Sequence, residues 1–187
     1  MQSFFSSFLI LLGIFITIVL VESHIQTGLN LHCANTNTEV CECPSSSIQN
    51  TSTSIPEFQN FHIHVLFWQK QESTRLALEL RKKFMERFHL DEEKDKCEFS
   101  PGTLEPVDTK MCLFGVDLEP AGPFVTPQFS IFINKLVYQE TVQFIIQHRQ
   151  VLDVLVHPNS GCAELDHTSW ALWSGNPWEI DTSIFSN

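Results

Sequence analysis

Six predicted elements in the order β-α-β-β-α-β, joined by short connections, make the expected fold α+β: a ferredoxin-like arrangement of an antiparallel sheet with its helices on one face. Three stretches carry this expectation. Residues 61–68 (FHIHVLFW) read as a strand, residues 75–88 show apolar side chains at helical spacing, and residues 151–156 form an apolar, β-branched run too short for a helix.

In the first strand Phe61, Ile63, Val65 and Phe67 share one face, and His62, His64, Leu66 and Trp68 share the other. Ser73 or Thr74 offers an N-cap to the first helix, whose apolar stripe is Leu76, Leu78, Leu80, Phe84, Met85 and Phe88. Arg81, Lys82, Lys83 and Arg87 are its expected solvated side. His89 and the charged run 91–98 end that helix, and Pro101-Gly102 marks a loop. Residues 111–116 and the alternating 128–133 (QFSIFI) are the second and third strands, separated by the turn-rich Glu119-Pro120-Ala121-Gly122-Pro123. A second helix over 138–150 presents Val142, Ile145 and Ile146. The last strand, 151–156, runs into His157-Pro158, and the Trp-, Pro- and Phe-rich tail from 171 onward is expected to pack over an edge or a partner subunit.

The chain has 187 residues, of which 43% are apolar, enough for one domain with a real core. A net charge of −11 supplies no basic surface for nucleic acid. Residues 4–21 form an apolar run interrupted only by Ser6, Ser7, Gly13 and Thr17, which reads as a signal peptide cleaved near Ser23, with an uncleaved signal anchor as the competing reading. Either way the folded part enters the secretory pathway, and after cleavage a secreted protein without a membrane association is expected. Residues 24–56 are rich in Ser, Thr and Asn and read as an extended, cysteine-bearing arm, leaving 57–187 as the globular domain. Asn50-Thr51-Ser52 is a glycosylation sequon in that arm. Six cysteines (Cys33, Cys41, Cys43, Cys97, Cys112 and Cys162) suit an oxidising compartment, with Cys97 and Cys112, which flank one loop, as the first pair expected. The lone Cys41-x-Cys43 has no second such pair to complete a zinc site.

A strand turns residues i and i+2 to one side, so His62-x-His64 brings two imidazoles together as a chelate requires; the bland alternative is two polar residues on a wet strand face. Leu66 and Trp68 on the same face argue against a simply wet one. His157, on a strand at a different sheet position but on the same open face, completes a facial trio. Such a set, with Glu164 and Asp166 as nearby carboxylates, suits iron(II) and oxygen chemistry or catalytic zinc. His167 reads equally as a fourth ligand, an acid/base, or a core histidine bonded to Asp166. Neither a glycine-rich phosphate loop nor a Gly-x-Ser-x-Gly elbow occurs.

Four anchors resemble the DOPA 4,5-dioxygenase family: His62-Ile63-His64-Val65, Pro120-Ala121-Gly122-Pro123, Val154-Leu155-Val156-His157-Pro158 with Gly161, and Asp166-His167 followed by Trp173 and Gly175. The resemblance implies a small ferredoxin-like protein, homodimeric, that opens catechol rings with dioxygen at a non-haem iron(II). It implies His62, His64 and His157 as metal ligands, His157 and His167 as catalytic, and Trp68, Phe124 and Trp173 as the lining of an aromatic pocket. Family members usually carry a histidine after the Gly-Pro turn, where this chain has Phe124. An inactive secreted binding module on the same fold is therefore the alternative, and a zinc hydrolase built on the same histidines is a third reading.

Overall fold

The computed structural model describes residues 58–98, 109–160 and 162–185. The leader, the arm with Cys33, Cys41, Cys43 and Asn50, the start of the domain at 57, and Gly161 lie outside the described residues.

The elements run β1 (Asn60–Leu66), α1 (Gln71–Phe88), β2 (Met111–Asp117), β3 (Gln128–Asn134), α2 (Tyr138–His148), β4 (Asp153–Pro158), α3 (Ala163–His167), β5 (Leu172–Ser174) and a 3-10 turn over Thr182–Phe185. The sheet order is β2-β3-β1-β4-β5 with every pair antiparallel. Its first four strands have the ferredoxin-like order, and β5 adds an edge that periodicity did not reveal because it is three residues long.

Alternation along the strands divides the sheet into two faces. Ile63, Val65, Phe129, Ile131, Ile133, Leu113, Val154 and Val156 pack under Leu76, Ala77, Leu80 and Phe84 of α1 and Ile145 of α2. This is the main core. The opposite face carries His62, His64, Leu66, Gln128, Ser130, Phe132, Asp153, Leu155 and His157, all buried although no long helix covers them. Its cover is the 118–127 loop, α3 and the tail, through Phe124, Trp173, Trp178 and Ile180 against Leu66 and Leu155. Cys97, Cys112, Phe114 and Phe132 close the β2 end, where the disulfide Cys97–Cys112 forms as expected. Cys162 is also disulfide-bonded.

Several expectations are corrected. Helix α1 begins four residues early, with Lys70 as its N-cap; Ser73, inside the first turn, instead accepts the Trp68 backbone N–H at 3.1 Å. Arg81 is buried at 5% exposure, not solvated: its guanidinium lies over the Phe129 ring (5.7 Å) and reaches Glu92. Leu78 and Ile146 face water instead of the core. Val151 is 77% exposed and precedes β4, which starts at Asp153 and continues through Pro158. Proline is tolerated there because Pro158 closes the strand, opposite Phe61. Trp68 lies beyond β1, 57% exposed, its ring tilted against Trp178 at 4.4 Å. The tail lies over the histidine face of its own sheet.

Candidate metal centre

Strands β1 and β4 occupy different, directly neighbouring positions in the sheet and present their histidines on one face, and His62 sits opposite His157 in the ladder. Opposed residues and their diagonal partners come within side-chain reach, so His64 joins them. Ring centroids lie 5.7 Å apart for His62–His64, 5.3 Å for His62–His157 and 5.1 Å for His64–His157. One ring nitrogen from each falls within 4.8 Å of the others, and the three are buried at 8%, 4% and 0% exposure.

Hydrogen bonds decide which nitrogens face inward. His157 Nδ1 lies 2.7 Å from the Pro158 carbonyl, which can only accept, so Nδ1 carries the hydrogen and Nε2 the lone pair. His64 Nδ1 lies 3.1 Å from Gln128 Oε1, and its Nε2 meets His157 Nε2 at 3.1 Å. Two imidazole nitrogens at that separation are held either by a shared proton or by a cation bound to both. Burial, reinforced by His167, His64 and His62, holds His157 well below the ordinary imidazole range, which opposes the proton. Three buried imidazole nitrogens fit a metal ion, and the set suits zinc or iron(II) equally.

His167, on α3, donates Nδ1–H to the Ala163 carbonyl at 2.8 Å rather than to Asp166. Asp166 instead accepts from Ser160 N at 2.9 Å and Ser160 Oγ at 2.6 Å, pinning the β4–α3 connection. The His167 ring stands 4.0 Å from His157, and burial pushes it down to about 4. Among the described residues neither expected carboxylate joins the converging set: Asp166 is engaged as stated and Glu164 is exposed.

Of the expected lining, Phe124 and Trp173 are on the site's side of the sheet. Phe124 is 3% exposed, with its ring 4.5 Å from His64 and 5.9 Å from His167. Trp173 pairs with Leu155 beside it. Trp68 stands off, against Trp178. Sequence reasoning missed Gln128, Asp117 and Phe185, the last with its ring 5.0 Å from His167. The alternation of QFSIFI could have flagged Gln128, since it sets Gln128 and Ser130 opposite an all-apolar face.

A model of the Dopa 4,5-dioxygenase family matches residues 61–184. A crystal structure of a candidate dioxygenase from Nostoc punctiforme resembles this fold with a TM-score of 0.53 at 22% identity, covering 68% of this chain and 91% of that one. At that identity the likeness concerns fold alone. No curated protein matches the chain. The family match runs from β1 into the final 3-10 turn and takes in His62, His64, His157 and His167, and on that extent the chain belongs to the Dopa 4,5-dioxygenase family.

Proposed function

We propose that the protein opens the ring of a catechol, DOPA-like in class, with dioxygen at a non-haem iron(II) held by His62, His64 and His157. The observation that carries this reading is the meeting of three buried imidazoles, two of them Nε2 to Nε2 at 3.1 Å, on the sheet of a chain in this family. When bound, the iron supplies a site where catecholate and dioxygen are held together and their charge is stabilised.

The chain's own residues do the rest. The Pro158 carbonyl fixes His157 with Nε2 inward. His167, whose Nδ1–H is committed to Ala163, offers Nε2 as the atom that takes the catechol hydroxyl proton. Its depressed basicity keeps it neutral at pH 7 and ready to accept, and the negative catecholate beside it raises that basicity as the proton arrives. Phe124 and Trp173 exclude water and offer faces to an aromatic ring. Both oxygen atoms enter the product as a carbon–carbon bond beside the diol breaks.

The test is protein loaded with iron(II), given a catechol and oxygen, which should form a yellow ring-opened product. His157→Ala should lose both the iron and the colour; unchanged turnover would remove His157 from the mechanism. A second reading, a binding module without turnover, is favoured by Phe124 packed on His64. Catechol binding without metal uptake would select it. Metal analysis with electron paramagnetic resonance separates iron from a zinc hydrolase. Secretion after cleavage near Ser23 and homodimerisation belong to the same proposal, checked by N-terminal sequencing of exported protein and by sedimentation.

A further inference from the structure

A regular strand would turn Leu113, Gly115 and Asp117 to one side, placing Asp117 on the helix-covered face. It does not, because β2 is bulged. Leu113 pairs with Ile131, but the next pairs are Val116 with Phe129 and Asp117 with Gln128, so three steps along β2 match two along β3. The extra residue falls at Phe114-Gly115 and reverses the alternation beyond it. Asp117 is thereby delivered to the histidine face, directly across from Gln128.

Gln128 is completely buried, and both ends of its amide are used. Its Nε2 donates to the Asp117 carboxylate, which can only accept. That leaves Oε1 facing His64 Nδ1 at 3.1 Å, and an acceptor there requires the hydrogen on Nδ1. An amide alone would not decide this, since turned over it would present N–H₂ to the ring and demand the opposite tautomer. We infer that Asp117 acts through Gln128 as a positioning pair that sets the tautomer of His64, turning its Nε2 lone pair toward His157. The backbone carbonyls at Pro158 and Ala163 do the same for His157 and His167. His64, in mid-strand, has its own carbonyl in the ladder and takes a side-chain acceptor instead. The inference rests on the metal-centre reading for its purpose, but not for its existence.

The experiment uses two independent readouts. Long-range ¹H–¹⁵N correlation of the metal-free protein reports the His64 tautomer, and titration with cobalt(II) alone reports affinity through its visible bands. Wild type should show Nδ1–H. Gln128→Leu should lose that tautomer and bind cobalt(II) about 10–100-fold more weakly, the usual range for removing a ligand's outer partner. Asp117→Asn, nearly isosteric and half-buried, should lose the single tautomer with a smaller fall in affinity, and it decides the matter if Gln128→Leu does not fold. The double variant Asp117→Asn/Gln128→Glu restores the donor–acceptor order and should recover both readouts. A wild-type His64 protonated on Nε2 would overturn the inference, as would variants that keep the wild-type tautomer and affinity. Wild type that shows Nδ1–H but takes up no cobalt(II) or iron(II) would sink the metal-centre reading while leaving the positioning pair standing.

Discussion

The two faces of the one sheet are both buried, by opposite means. Under α1 and α2 the face is apolar without interruption from Leu113 to Val156, and apolar side chains of similar volume would serve there. On the other face His62, His64, His157, Gln128, Ser130 and Asp153 are buried to within 8% of completely, under loops and a tail. Burying polar groups costs unless each is hydrogen-bonded, and here the bonds are individually placed: Pro158 on His157, Gln128 on His64, Asn176 and Trp178 on Asp153. The helix face supplies stability, and the histidine face spends design on a constellation that folding alone does not require.

The sharpest way to break this contrast is to cut into each face in turn. Phe129→Ala, at a position with no exposure, should cost about 3–5 kcal/mol in denaturant unfolding, while folded molecules keep their metal stoichiometry. His157→Leu should do the reverse, abolishing metal uptake while the metal-free protein stays within about 1–2 kcal/mol of wild type. If Phe129→Ala also changes metal stoichiometry, the faces are not independent.

Acid should separate the faces next. His167 in the fold sits at about 4 against an ordinary 6.5, so between those values the unfolded chain binds the extra proton. The stability this group contributes is therefore complete above pH 6.5 and is lost as pH falls toward 4, by about 3 kcal/mol in metal-free protein. His157, shifted in the same direction, adds to the loss. Among the described residues the helix face buries no histidine or carboxylate, so His167→Phe should flatten part of the profile in a thermal melt.

Smaller effects map the cover. Asp153 accepts from Asn176 N at 2.7 Å and from Trp178 Nε1 at 2.8 Å. Asp153→Ala should release this anchor at about 1–3 kcal/mol, seen first as faster amide exchange at Asn176. The smallest change expected is Arg87→Ala, which removes a half-exposed pair between α1 and α2 and should shift stability by about 0–1 kcal/mol.

Much of this contrast was legible in the sequence, because it is written in period two. Alternation by itself assigns His62 and His64 of FHIHVL to one side and Ile63 and Val65 to the other. The element order, the four-strand topology and the Cys97–Cys112 pair follow from similar local signals. The placement of His62 directly across from His157 did not, since the register between two strands far apart in the chain is set by tertiary packing and not by spacing. Arg81 was misassigned because its guanidinium is buried over the Phe129 ring of the sheet and paired with Glu92, contacts with other elements that spacing along one helix does not show. Asp117 was invisible for a sharper reason: its side depends on a one-residue bulge, and a glycine in MCLFGVD does not announce which way the count will slip.

Every histidine of the site, and every strand that presents one, precedes residues 172–185 in the chain, and from that stretch come Trp173, Trp178, Ile180 and Phe185 of the cover. A chain cut before residue 172 would therefore keep all four imidazoles and lose these four side chains of the cover, so the site and its roof can be separated by a single truncation.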